Sequence, residues 1–424
     1  MKPTSVQLWE RIQSTGLASP DECSNWAIEI AKAARPELLN DPSKLAGELI
    51  RSGKITPFQA NVLFSELPIP IVLGPYRITE SLESKLGANW FLAFDSNRPK
   101  NALRWCYLLT PNGLQGPELK NWPPSLELAA KHVAVSHPSI DRWLSSGIEK
   151  SCIVGFCESL DGQSLASMLT TRSLSWSESV AMVEQIAAGL QKIHDSGLVH
   201  GSICLDAIWC VEEGEFVLRR DPFFPPVNPY STSGNSVLAR TADAKLAVAA
   251  PELTLPNQQH SNQSDLYALG CVWYQSLTGS SPIGSQPVGA SQVLAKADSI
   301  LKPQPLGSSK LAAPLEKCLN HLLAKNPSAR FSSASAFVKA IEFAVKESEK
   351  LYASMPVAIQ PIKTKQVAAV PTKKEPSKAK TVAVIASSAK QGAGFLPDSK
   401  KQKTLVPTKT KGKKKSKKKE LFWN

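Results

Sequence analysis

The sequence predicts an α+β fold in which a strand-rich small lobe leads into a helix-rich large lobe. Between residues 75 and 110, short runs of aromatic and apolar residues read as strands. From Ser177 onward, apolar residues recur at helical spacing over long windows. Near Pro356 both patterns stop, and the chain turns to Lys, Pro, Ser, Thr and Ala.

Residues 1–70 form a helical leader. Leu8, Trp9 and Ile12, then Trp26, Ile28, Ile30 and Ala31, mark short amphipathic helices. Leu49-Ile50 ends a helix before Ser52-Gly53, and Pro57 opens the next, which runs through Phe64 and closes before Pro68 and Pro70. The strand signals follow at Tyr76-Arg77-Ile78, Trp90 to Phe94 and Ala102 to Leu108. A helix from about Ser125 to Val135 follows Pro123-Pro124. Further helices are expected over Val180 to His194, Leu266 to Leu277 and Ala334 to Val345. The domain layout is therefore leader 1–70, main domain 75–350 with lobes 75–155 and 160–350, and tail 356–424.

The 424 residues include 42% hydrophobic side chains, enough for one large core. The net charge of +13 is uneven. From Pro356 onward there are 18 Lys, no Arg and 3 acids, against 31 basic and 33 acidic groups in residues 1–355. The body therefore has no electrostatic case for binding nucleic acid. The tail has one, since its run from Lys411 to Lys419, followed by Leu421-Phe422-Trp423, suits nucleic acid or an anionic membrane surface. A solvating tail with no fixed partner is the bland alternative. Eight scattered Cys form no C-x-x-C pair and no zinc-type spacing, and read as reduced core thiols. The scattered His residues, among them His132, His194, His260 and His321, have no ligand-type neighbours in the sequence and read as structural or exposed. No signal peptide or membrane-length apolar run is present, so a cytoplasmic protein is expected.

Ordered motifs then carry a resemblance. Ala250-Pro251-Glu252 is followed by Ser264-Asp265-Leu266-Tyr267-Ala268-Leu269-Gly270, with Leu277-Thr278-Gly279 and Ser281-Pro282-Ile283 behind it. Lys325-Asn326-Pro327-Ser328-Ala329-Arg330-Phe331 comes last. Upstream lie His137-Pro138-Ser139-Ile140, Gly155-Phe156-Cys157-Glu158 with Asp161-Gly162, and Leu198-Val199-His200. In this order and spacing the set resembles the bacterial Ser/Thr protein kinase family over about Tyr76 to Val345. Leu49 to Ala60 resembles a helical leader found in planctomycete kinases. The resemblance implies a two-lobed protein-kinase-like fold that binds ATP with Mg²⁺ and transfers a phosphoryl group.

Phosphoryl transfer depends on positioning and charge neutralisation, so its residues can be checked one at a time. The three glycine positions of the phosphate loop fall on Glu83, Lys85 and Ala88, with Gly87 out of register. Trp90 stands where a valine would cover the adenine. The A-x-K lysine aligns with Arg104, which keeps a charge able to hold a phosphate but lacks the compact ammonium. The Glu partner of that lysine aligns with Leu128; Glu127 beside it points about 100° away on a helix. In the catalytic loop, the base Asp is Ser202, the Lys is Cys204 and the metal-binding Asn is Ala207. The D-F-G Asp falls on Arg220, which repels Mg²⁺; a one-residue insertion would bring Asp221 to that place as a metal ligand.

The residues that hold this fold together are present. The resemblance assigns Glu252 and Arg330 a buried ion pair, and it has Asp265 hold the catalytic loop over His200. The expectation is a pseudokinase: a signalling scaffold or regulator of other proteins, active kinases among them, with little or no phosphotransfer. The alternative is an atypical active kinase that binds ATP and Mg²⁺ through Arg104 and Asp221 with a substituted base. A third reading makes the tail the working part.

Overall fold

The computed structural model describes residues 3–33, 39–65, 69–82, 89–97, 103–109, 125–212, 214–223, 226, 248–255, 258–282 and 313–353. The positions aligned with the phosphate loop (Glu83, Lys85, Gly87 and Ala88), Ile283 and the Lys-rich tail lie outside them.

The leader consists of helices α1 (Ser5–Thr15), α2 (Pro20–Lys32), α3 (Pro42–Arg51) and α4 (Pro57–Phe64). Thr4, Ser19, Asp41 and Thr56 cap their N-termini, and proline follows at the first position of the last three. Leu8, Ile12, Leu45, Leu49 and Leu63 close a leader core of their own. The leader then covers one face of a sheet. Gln59 Nε2 donates to the Ile78 carbonyl at 2.8 Å, Thr56 Oγ1 to Thr79 at 2.7 Å, and Phe58 lies 5.7 Å from Phe91.

The sheet comprises β1 (Val72–Leu73), β2 (Tyr76–Ser81), β3 (Trp90–Asp95), β4 (Leu103–Leu109), β5 (Trp143–Glu149) and β6 (Cys152–Glu158), ordered β1-β2-β3-β4-β6-β5. Every pairing is antiparallel. The Gly155-Phe156-Cys157-Glu158 stretch lies in β6, an inner strand bonded on both sides, to β4 and β5. Alternation sorts the side chains. Phe91, Ala93, Cys106, Leu108, Val154 and Phe156 share the leader-facing side. Trp90, Trp105, Tyr107, Leu109, Trp143 and Cys157 share the opposite side, with Ala129 of helix α5 (Leu126–Ala134).

Strand β7 (Gln163–Ser164) and helix α6 (Leu165–Leu169) open the large lobe. Helix α7 (Trp176–Asp195) and helix α8 (Asn262–Thr278) form its centre, with α9 (Ala313–Leu322) and α10 (Ala334–Ala353) packed behind. Every residue of α8 from Ser264 to Ser276 is buried, so this helix is enclosed on all faces. Trp273 sits at its core and donates Nε1–H to Ser179 Oγ of α7 at 3.2 Å. Strands β8 (Ile208–Glu212) and β9 (Glu215–Leu218) join β7 in a small second sheet. A strap joins the lobes: the Asp141 N–H donates to Leu218 at 3.0 Å, and the Leu218 N–H donates to Ser139 at 2.9 Å.

Candidate functional site: the cleft between the lobes

Below the cleft, Asp265 organises the loop that begins at His200. Its carboxylate accepts from the His200 N–H at 2.8 Å and the Gly201 N–H at 2.7 Å, and His194 Nε2 lies 3.0 Å away. The ring of His200 lies 2.8 Å by Nε2 from the Arg219 carbonyl, while its Nδ1 accepts from the Ser202 N–H at 3.3 Å. This network defines a neutral Nε2–H tautomer. Burial pushes the imidazole below its ordinary range, against the pull of Asp265. Gly201 adopts φ +64°, and a Cβ there would meet Pro226 at 2.1 Å. Glycine is therefore required both by the backbone and by the segment lying on it.

Arg330 and Glu252 face each other in a fork. Both terminal nitrogens reach the carboxylate at 2.7 Å, and Nε donates to the Ala324 carbonyl at 2.9 Å. The guanidinium lies 4.8 Å over the Tyr267 ring. A side chain with this many partners fixes the Pro251–Thr254 turn against α8.

Inside the cleft, alternation moves one expected residue and supplies two others. Arg104 pairs across the strands with Ala93 and Glu158, which puts it in step with Cys106 and Leu108 on the leader-facing side. It is not brought to the cleft, and its NH1 donates to its neighbour Leu103 at 2.8 Å. Trp105 and Tyr107 take the cleft face instead. Alternation gives no cue here, because residues 105–109 are apolar on both faces and no period-2 contrast fixes the register.

The two rings join an aromatic cluster. Tyr107 stacks on Phe223 at 5.2 Å with planes 19° apart, and Trp143 meets Phe223 edge-on at 5.8 Å. Trp90 contacts Tyr107 at 5.3 Å, and Trp105 contacts Trp209 at 4.9 Å. Phe223 has no exposed surface. Its carbonyl also accepts the Ser125 N–H at 2.7 Å, tying it to the start of α5. A Cβ on Gly155 would lie 2.6 Å from both Phe223 and Trp143, so the ring occupies space that any other residue at 155 would need. The Arg219 guanidinium lies 5.0 Å from the Trp90 ring and 5.8 Å from Trp105. Burial first, and the nearby Asp221 carboxylate next, push the Tyr107 phenol well above its usual range.

Arg220 is 2% exposed. Its Nε donates to Asp141 Oδ1 at 2.7 Å, its NH1 to the His132 carbonyl at 2.9 Å, and its NH2 to the Asp141 carbonyl. Sequence reading singled out Arg220 but missed Asp141, whose other oxygen accepts from Trp143 Nε1 at 2.9 Å. Nothing in the sequence around Asp141 announces that role. Asp221 is exposed beside the cleft. Glu127 points outward and pairs with Lys131 at 2.9 Å, while Leu128 packs on the large-lobe core. Cys204 is buried in that core and Ala207 packs against it, its carbonyl accepting from the Arg219 N–H at 2.7 Å. Among the described residues, no three His, Cys, Asp or Glu side chains gather as a metal site. The side chains present are a poor match for a metal–triphosphate pair. The position expected to supply an acid holds a cation with its donors already engaged, and rings stand between the sheet and the large lobe.

A curled antiparallel sheet over a helical lobe, with an Asp-held catalytic-type loop and a buried Glu–Arg fork, defines a protein-kinase-like fold. The family model for the protein kinase domain matches residues 127–341, half of the chain. The chain belongs to that family. It is 31% identical over 210 residues to serine/threonine-protein kinase Pkn1 of Myxococcus xanthus, a match covering 46% of this chain and 28% of that protein. It is 27% identical over 192 residues to PknJ of Mycobacterium tuberculosis, covering 43% and 31%. It is 26% identical over 223 residues to PknB of the same species, covering 49% and 33%. The chain thus spans about a third or less of the length of these relatives. Among solved structures, the PknI kinase domain of M. tuberculosis aligns with a TM-score of 0.46 at 19% identity, covering 66% of this chain and 99% of that one. Among the described residues, no helix is long and apolar enough to cross a membrane.

Proposed function

We propose that this chain is a pseudokinase, a kinase fold that serves as a signalling scaffold or regulator and carries out little or no phosphoryl transfer. The observation that carries this reading is the filled cleft. Phe223, Tyr107, Trp90 and Trp143 pack against one another between the sheet and the large lobe. Removing that plug means parting buried, packed rings, and a buried Phe alone is worth about 3–5 kcal/mol. The charge pattern supports the same reading. Phosphoryl transfer needs an acid for the metal and a base for the hydroxyl. Here Arg220 is bound to Asp141, and Ser202 stands where the base belongs.

The fold-anchoring set, His200, Glu252, Asp265 and Arg330, is compatible with a body kept for binding. In this reading the leader 1–70 braces the domain at 75–350, and the tail at 356–424 offers positive charge to an anionic partner such as nucleic acid or a membrane surface. The natural partners are other proteins, active kinases among them, in the cytoplasm. A planctomycete source fits the leader. The test is incorporation of radiolabelled γ-phosphate from ATP by the full chain, on itself and on a generic basic substrate, with Mg²⁺ or Mn²⁺. Background incorporation is expected, equal to that of a Phe223→Asp variant. Turnover that is metal-dependent and abolished in an Asp221→Asn variant overturns the reading in favour of an atypical active kinase.

A further inference from the structure

We propose that the groove between the helical leader and the tip of the β5–β6 hairpin docks a short extended peptide of a partner protein, one that sets a carboxylate beside apolar side chains. The groove has a volume of about 410 Å³. That lies within the range of sites that hold small ligands and peptide side chains. Val62, Leu63 and Ile71 are buried beneath it, and Arg11 and Lys150 stand among its lining residues.

Arg11 is the fixed point. Its NH1 donates to the Leu63 carbonyl at 2.6 Å, which clamps the guanidinium by one edge. Neither Nε nor the other terminal nitrogen has a protein acceptor among the described residues. A planar donor pair held in place suits the two oxygens of a carboxylate. Lys150 is exposed and sits at φ +47° beside Ser151 at +62°, a left-handed pair that makes a tight, stiff hairpin tip. Neither cation forms an ion pair among the described residues, whereas Lys54 in the same leader pairs with Glu29 at 3.0 Å. Two cations with no ion-pair partner among the described residues, set over an apolar floor, complement an acidic, apolar segment. A phosphate polymer would use the cations but leave the floor unused. The site lies in the leader seam and does not depend on what occupies the cleft.

The experiment is selection of a random heptapeptide library on the immobilised full chain, followed by affinity measurement of the enriched peptides on Arg11→Gln and Lys150→Glu variants. Lys150 lies exposed on a hairpin tip, so its variant reports binding even if loss of the Arg11 clamp loosens the leader; melting curves are run on both. Enrichment of Asp or Glu next to Leu, Ile or Phe is expected, with affinity falling about tenfold in Lys150→Glu at unchanged melting temperature. No enriched sequence, or enriched peptides that bind Lys150→Glu as well as the parent, overturns the proposal. Binding of phosphatidylglycerol vesicles that requires Arg11 and Lys150, with no peptide selected, also overturns it and reassigns the groove to lipid.

Discussion

At the scale of the residue, Gly155 and Phe223 show how one position can depend on another far away in the chain. The ring lies where a side chain at 155 would have to go. Gly155→Ala is expected to cost about 1–3 kcal/mol, because the plug cannot shift without unstacking Tyr107. The same substitution made in a Phe223→Leu background should cost clearly less, and a double-mutant cycle in urea measures the difference. Equal costs in the two backgrounds would show that the ring does not fill that space. His132 gives a pH prediction. Burial first, then the Arg220 charge and His200, lower its pKa from 6.5 to about 3. Below pH 6.5 the unfolded chain takes up a proton that the folded chain refuses, so stability falls with pH from about 6.5 to 3, by up to roughly 1.4 kcal/mol per unit. Burial of His200 lowers its pKa and adds in the same direction. His132→Gln should flatten this slope in urea melts taken across that range; an unchanged slope would place the acid sensitivity elsewhere. Neither Gly155 nor His132 could be given its role from sequence. A glycine in a strand and a histidine on a helix acquire meaning only from partners about 70–90 residues away.

At the scale of the element, helices were legible and strand faces were not. The 3.6-residue periodicity of α1 to α4, α5 and α7 stands in the sequence, and these helices lie within a few residues of that signal; α10 starts where expected at Ala334 but runs on to Ala353, eight residues past the expected end at Val345. Strand β4 is apolar on both sides because the leader covers one face and the aromatic cluster the other. Its register could not be read from alternation, and Arg104 was placed on the wrong face. The strap of Arg220 to Asp141 was half legible: the cation was conspicuous and its carboxylate was not. Asp141→Asn leaves a buried guanidinium uncompensated and should cost about 3–5 kcal/mol. Arg142→Ala breaks only an exposed pair with Glu158 at 3.5 Å and should cost under about 1 kcal/mol. Chemical denaturation of the two variants side by side checks the contrast, and similar costs would contradict it. Removing residues 1–65 uncovers Phe91, Ala93 and Phe156 on the sheet. The truncated chain is expected to aggregate in size-exclusion chromatography, and a monodisperse, cooperatively melting remainder would show that the leader is a separable module.

At the scale of the whole molecule, the architectural residues and the chemical residues separate. Glu252 and Arg330 hold each other in a fork, and Asp265 accepts from the His200 and Gly201 N–H groups. The cleft they frame is filled by rings from both lobes and strapped by Arg220. The order of motifs made the fold class readable from sequence, because each motif marks a turn or a buried pair that any protein of this architecture needs. The plug was not readable, since its members are spread from Trp90 to Phe223 and converge only in three dimensions. A ligand that binds only the folded state must raise its melting temperature, by about 2.7 kcal/mol of stability at a hundredfold excess over Kd. The decisive measurement is a thermal melt of the full chain with millimolar ATP, with and without Mg²⁺ or Mn²⁺. A filled cleft predicts an unchanged melting temperature under every condition. A rise that requires both nucleotide and metal would mean that the rings part to admit them, and would contradict the proposal that this fold serves as a scaffold without phosphotransfer.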